Sequence, residues 1–117
     1  MTVSEATIYH NPRCSTSRKG KAYLEERGIS PQVVKYLDDV PSAAELRKLY
    51  DRAGIAVHDG IRTKETVYRE LGLSPETPEE ELLQTMVENP KLIERPIVVT
   101  PKGVRIARPT EVIDEIL

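Results

Sequence analysis

Apolar residues along this chain come in short runs, cut by glycine, proline and charged stretches, and each run has its own period. "ATIY" (6–9) and "QVVKYL" (32–37) are compact and β-branched, which predicts strands. Residues 15–27 read as a helix with Gly28 as its left-handed stop. Ser42 with Glu45 forms a capping-box signature, Leu46, Leu49, Tyr50 and Ala53 share one face, and Gly54 closes the helix. A second start signal is Thr77-Pro78-Glu79-Glu80, a hydroxyl cap with proline at the first helical position. Leu82, Leu83, Met86 and Val87 form that helix's apolar stripe, which ends at Asn89-Pro90. "PIVVT" and "VRIA" flank the turn "PKG" and predict a β-hairpin. The final "TEVIDEIL" carries Val112, Ile113, Ile116 and Leu117 at helical spacing.

The resulting order is β-α-β, a helical middle, then β-β-α. That order predicts an α/β fold on the thioredoxin/glutaredoxin-like plan, with a helical block inserted at about residues 42–93. Repeats, low-complexity tracts and linkers are absent, so residues 1–117 are expected to form a single domain.

Composition narrows the function classes. Charged residues make up 31% and hydrophobic residues 38%, an ordinary globular balance. With no Phe or Trp, the core must be built from Val, Ile, Leu and Ala. The net charge of −2 supplies no global field for nucleic acid or an anionic membrane, so any anion site must be built locally. No apolar run reaches membrane-spanning length. "MTVSEATIYH" lacks a basic start followed by an apolar stretch and does not read as a signal peptide. A single cysteine without a pairing partner then points to a reducing cytoplasm. No His, Cys, Asp and Glu set has metal-ligand spacing, and no glycine-rich nucleotide loop appears. His58 reads as a surface residue.

The chemistry concentrates in "IYHNPRCSTSR" (8–18), where the lone Cys14 lies in a loop between a strand and a helix. Free amides and the positive dipole end at a helix start favour a thiolate over a thiol and can hold an oxyanion. Ser15, Thr16 and Ser17 add hydroxyls, Arg13 and Arg18 add positive charge, and His10 is placed near the sulfur. Acidity of Cys14 below the ordinary value of about 8.5 is therefore expected. A phosphatase-type loop would need arginine at the position of Gly20, and a dithiol site would need cysteine at Ser17. What remains is the monothiol pattern "CSTS", whose mixed disulfide must be resolved by an external thiol such as glutathione or a small redox protein.

"IYHNPRCSTSR", "IRTKETVYRELGL" and "ERPIVVTPKGVRIARPTEV" together resemble the ArsC-type arsenate reductases of the glutaredoxin-coupled kind, from residue 7 to the carboxy terminus. The resemblance implies a thioredoxin-like fold with a helical insert and reduction of arsenate to arsenite by glutathione and glutaredoxin. It implies no bound cofactor, with glutathione as co-substrate, and a monomer is expected. The family's nucleophile falls on Cys14 and its anion-handling arginines on Arg62, Arg95 and Arg108. Guanidinium groups suit that role, since a thiolate approaching a tetrahedral anion must overcome like-charge repulsion. In thioredoxin-like folds a cis-proline faces the active-site cysteine. Pro96, at the start of "IVV", matches that position, so a cis Arg95-Pro96 bond is expected. Two other classes compete. A glutathione-dependent monothiol oxidoreductase acting on protein mixed disulfides explains Cys14 and Ser17 but leaves the arginines idle. A non-enzymatic Spx-like RNA polymerase adaptor would share the fold, but Ser17 removes the dithiol switch many of those regulators carry.

Overall fold

The computed structural model describes residues 5–117. The amino-terminal reading of no signal peptide falls partly on residues 1–4, outside the described residues. The chain divides into two compact units, the first comprising the chain up to Asp39 together with Arg95–Leu117, the second Val40–Glu94.

The first unit is built on a four-stranded sheet in the order β2-β1-β3-β4. Strand β1 (Thr7–Tyr9) pairs in parallel with β2 (Gln32–Val34) and antiparallel with β3 (Ile97–Thr100). Strand β4 (Gly103–Ile106) closes the predicted hairpin, with Thr100 opposite Gly103. Helix α1 (Ser15–Glu26) makes the crossover from β1 to β2. The architecture is thioredoxin-like. Ile8 lies opposite both Val33 and Val98, so one register line crosses the sheet. Around it Ala6, Leu24, Ile29, Ala107, Ile113 and Ile116 form a buried cluster that joins sheet, α1 and the carboxy-terminal segment. Each fully buried Leu or Ile of such a cluster contributes about 1.5–3 kcal/mol of transfer free energy.

Helix α1 does not present a conventional apolar stripe. Its buried positions are Ser17, Gly20 and Leu24, which are at helical spacing but mostly small. Small residues let the helix approach the sheet closely. An ideal Cβ placed on Gly20 would lie 2.9 Å from Pro96 Cγ.

Three predicted elements differ from what forms. Strand β2 ends at Val34 rather than continuing to Leu37, because the Asp38 and Asp39 amides both donate to the Lys35 carbonyl (2.9 and 2.8 Å) and turn the chain. Tyr36 is fully buried within that turn. The last segment is a 3-10 helix over Thr110–Ile116. Its two buried residues, Ile113 and Ile116, are three apart, the spacing that stacks on one side of a 3-10 turn. Thr77 does not cap the later helix. Its hydroxyl accepts from the Ser74 amide (3.0 Å), and Pro78 is the residue flanking that helix.

The second unit pairs α2 (Ala43–Ala53) with α4 (Glu79–Glu88) through Leu46, Leu49 and Tyr50 on one side and Leu82, Leu83 and Met86 on the other. Ser42 Oγ accepts from the Glu45 amide, as its cap signature predicts, and Gly54 takes a left-handed conformation (φ 71°). A short helix, α3 (Thr66–Glu70), lies between them with no buried residue, which is why it has no apolar stripe to reveal it. His58 is half-buried, and its Nε2 lies 2.8 Å from the Tyr68 hydroxyl, so it is not the plain surface residue expected. Among the described residues, no helix is long and apolar enough to cross a membrane.

Candidate active site at the start of helix α1

Cys14 flanks α1 as its N-cap, with extended backbone (φ −95°, ψ 123°). Its carbonyl accepts from the Arg18 amide at 3.0 Å, and its own amide donates to the Asn11 carbonyl at 3.0 Å. The thiol is half-buried. Burial pushes its pKa up, but the Ser17 amide, the Arg95 guanidinium and the Thr16 amide oppose this, and the net result lies below the ordinary thiol value. The sulfur therefore sits at a helix start where main-chain donors and a cation favour the thiolate. Because ionisation is easier in the fold than in the unfolded chain, the thiolate adds stability above the unfolded pKa. That stability is lost as pH falls through the folded one. Rates of iodoacetamide alkylation across pH are expected to show a midpoint below about 8.5. A midpoint at or above that value would show an unactivated thiol.

Ser17 ties the loop together from inside the helix. Its fully buried hydroxyl accepts from the Asn11 amide (2.9 Å) and lies 2.7 Å from His10 Nδ1. Asn11 Oδ1 in turn accepts from the Arg13 amide (3.0 Å). His10 is buried, its amide donates to the Val34 carbonyl, and burial followed by the charges of Lys21, Lys35 and Arg18 lowers its pKa. At neutral pH His10 is thus an uncharged imidazole that braces the loop. Ser17→Ala strands two buried polar groups and is expected to cost about 1–3 kcal/mol of stability, read as a lower Tm. An unchanged Tm would show that water or a shifted loop replaces the hydroxyl.

The carboxy-terminal strands bring two arginines to the same sulfur. Arg108 Nη2 lies 3.9 Å from Cys14 Sγ, while its Nε donates to the Arg95 carbonyl at 2.9 Å. Arg95 hydrogen-bonds the thiol side and immediately precedes Pro96. The Arg95-Pro96 bond is cis, as expected, and so is Arg108-Pro109. Pro96 is buried, its carbonyl accepts from the Ala107 amide (2.9 Å), and its ring packs against Gly20 of α1. Cys14, Arg95 and Arg108 are therefore assembled by one helix start and one hairpin. A cysteine with two guanidinium groups and the main-chain amides of a helix start around its sulfur is arranged to meet an oxyanion.

Gly20→Ala tests that assembly. Alanine is better than glycine in a helix by about 1 kcal/mol, but a Cβ at 2.9 Å from a proline ring has no flexible side chain to displace. The variant is expected to lose about 1–3 kcal/mol of stability and to shift the Cys14 alkylation midpoint. A Tm and midpoint equal to wild type would show that α1 and Pro96 can separate without disturbing the thiol.

Arg62 belongs to the second unit. There its Nη1 meets Glu94 Oε1 at 2.9 Å and its Nε meets Glu65 Oε1 at 3.3 Å, partners the sequence reading did not foresee. Its amide donates to the Leu92 carbonyl beside the isolated Ile61–Ile93 bridge.

The ArsC family profile matches residues 9–116 of this chain. The chain belongs to the ArsC family. Among its relatives, an arsenate reductase from Rhizobium meliloti (strain 1021) is 51% identical over 118 residues, spanning 100% of this chain and 82% of that protein. The uncharacterized protein YfgD of Escherichia coli (strain K12) is 47% identical, with 98% of each chain covered. The solved structure of an arsenate reductase from Vibrio cholerae matches with a TM-score of 0.94 at 47% identity, over 99% of this chain and 100% of that one. The geometry around Cys14 is thus set in an ArsC-family fold.

Proposed function

We propose that this ArsC-family chain is an arsenate reductase in which Cys14 is the nucleophile and glutathione with glutaredoxin supplies the electrons. The observation that carries this reading is the joint placement of Arg108 Nη2 at 3.9 Å from the sulfur and of Arg95 on the same thiol. The thiolate attacks arsenic, an S–As bond forms, and one oxygen leaves as water after taking up protons. Arg95 and Arg108 hold the remaining oxygens and offset the charge that would otherwise repel the thiolate. The main-chain amides of Thr16 and Ser17 stabilise the sulfur before attack and again when it leaves.

Glutathione then displaces a second oxygen as water and leaves arsenic bonded to two sulfurs. A glutaredoxin thiol takes the glutathionyl sulfur as a disulfide. The bonding pair stays on arsenic, which falls from As(V) to As(III). Hydrolysis of the remaining S–As bond releases arsenite and returns the Cys14 thiol. Ser17 holds no second thiol, so the external thiols are required by the chain itself. Arg62 is the third anion-handling arginine on the resemblance alone. Glu65 and Glu94 already offset its charge, and the reading gives it the smallest share. The reducing cytoplasm and a monomeric chain without bound cofactor complete the proposal.

The test is arsenate-dependent NADPH oxidation coupled through glutathione reductase and glutaredoxin. Oxidation that requires arsenate, glutathione and the chain together supports the reading. Its absence at any arsenate concentration would remove it, and activity on glutathionylated protein without arsenate would replace it by the monothiol oxidoreductase.

A further inference from the structure

Beside the Cys14 loop lies a cleft of about 240 Å³, lined by His10, Pro12, Arg13, Lys35, Leu37 and Asp38 among others. All of these residues belong to the first unit. One wall is the loop that carries Cys14, and the other is the turn that ends β2, where Lys35 accepts the Asp38 and Asp39 amides. That turn places Lys35 and Asp38 on the rim and leaves Leu37 40% exposed, an apolar wall open to solvent.

Three charged side chains converge here: Arg13, Lys35 and Asp38. Among the described residues none of the three forms an ion pair or a side-chain hydrogen bond. Other charges of the first unit do pair, Lys21 with Glu25 and Arg27 with Asp114, while Arg18 donates to the Pro12 carbonyl. Two cations and one carboxylate around an apolar wall complement a ligand end carrying both a carboxylate and an ammonium. The volume is below the roughly 300–1,000 Å³ that engulfs a drug-sized ligand. The cleft therefore grips one end of a ligand and leaves the rest free to reach out.

We infer that this cleft seats the γ-glutamyl end of the glutathione co-substrate, its α-carboxylate toward Lys35 and Arg13 and its α-ammonium toward Asp38, so that its thiol is delivered to the adduct on Cys14. The inference rests on the arsenate reductase reading for its purpose but not for its binding site. Arg95 and Arg108 act on the sulfur from the hairpin, and the second thiol enters from the loop and turn instead. The step it serves is the one already balanced above, displacement of an arsenic-bound oxygen by the glutathione sulfur.

The probe is S-methylglutathione, which cannot react, followed by amide chemical shifts in the full chain. Saturable shifts at millimolar concentration, centred on Arg13, Lys35, Leu37 and Asp38, are expected. Lys35→Glu should weaken them about tenfold and Lys35→Gln by less, as for a lost charge-assisted contact. S-methyl-cysteinylglycine, which lacks the γ-glutamyl end, should not produce them. Lys19→Glu makes the same charge change on an exposed part of α1 and should leave binding as in wild type. In turnover, Lys35→Glu should raise KM for glutathione about tenfold while KM for arsenate and the rate with 2-mercaptoethanol hold. No saturable shift, shifts centred elsewhere, equal binding of the truncated probe or equal weakening by Lys19→Glu would each overturn the inference. The binding arm needs no arsenate. A chain that binds the probe in this cleft without reducing arsenate keeps the site and loses the activity, and turnover without cleft binding does the reverse.

Discussion

Replacing Cys14 with serine is expected to abolish arsenate reduction, by a factor on the order of 10⁴ or more, with a nearly unchanged Tm. The two halves of that expectation have separate physical origins. Serine keeps the size and the N-cap position, and the backbone bonds at residue 14 run from its amide to Asn11 and from the Arg18 amide to its carbonyl. Neither involves the sulfur. What disappears is the only group in the chain able to ionise near neutral pH and form a bond to arsenic. The same amides and guanidinium group that lower the thiol pKa leave an alcohol un-ionised, because its starting acidity is far weaker. Tm and arsenate-dependent NADPH oxidation, measured on the same preparation, decide the matter. Undiminished turnover in Cys14→Ser would end the covalent mechanism. Lost turnover with a collapsed Tm would show that the sulfur also packs.

How much of this was legible beforehand depended on whether a residue's role was local. The start of α1, the cap at Ser42 and the hairpin of β3 and β4 follow from short-range chemistry, and all three formed. The position of Cys14 at a helix start, and the direction of its pKa shift, followed from the strand-loop-helix reading, but the cationic share comes from Arg95 at the far end of the chain rather than from the neighbouring Arg13 and Arg18. Ser17 was legible as a missing second cysteine and as a hydroxyl at the helix start. Its work as the buried anchor of His10 and Asn11 depends on the loop folding back over the helix, which no spacing rule encodes. Gly20 was hidden for a related reason. A stripe of Ser17, Gly20 and Leu24 has little hydrophobic contrast, and its meaning appears only when Pro96 arrives from the far end of the chain.

The misread ends of elements share a cause as well. Val, Ile and Leu at 112–117 satisfy a helical period whether the turn is tight or wide, and burial of Ile113 and Ile116 selects the tighter one. The apolar run through Leu37 reads as strand, yet Tyr36 is pulled inward and Lys35 closes a turn. That shortened strand creates the wall of the cleft beside Cys14, so the error and the additional site have one origin.

Arg95→Ala is expected to lower kcat/KM for arsenate by about 100- to 1,000-fold, and to raise the alkylation midpoint of Cys14. Of the influences on that thiol, burial raises its pKa most, and Arg95 opposes it twice, by a hydrogen bond and by its charge. Without Arg95 the Ser17 and Thr16 amides remain, so the midpoint moves upward but the thiol is not left without donors. Arg108 stays in place, because its Nε is held by the main-chain carbonyl of residue 95, which alanine retains. The residual activity is therefore the share carried by Arg108 and the helix start. Arg95→Lys should fall between, keeping the charge but losing the planar fork that binds two oxygens at once. Its midpoint should lie nearer wild type than its kcat/KM does. That split separates the two duties of Arg95, since the charge acts on the thiol and the fork on the oxyanion. If lysine restored both fully, bidentate binding would be excluded as part of the mechanism. If alanine left kcat/KM intact, Arg95 would have no place in the site.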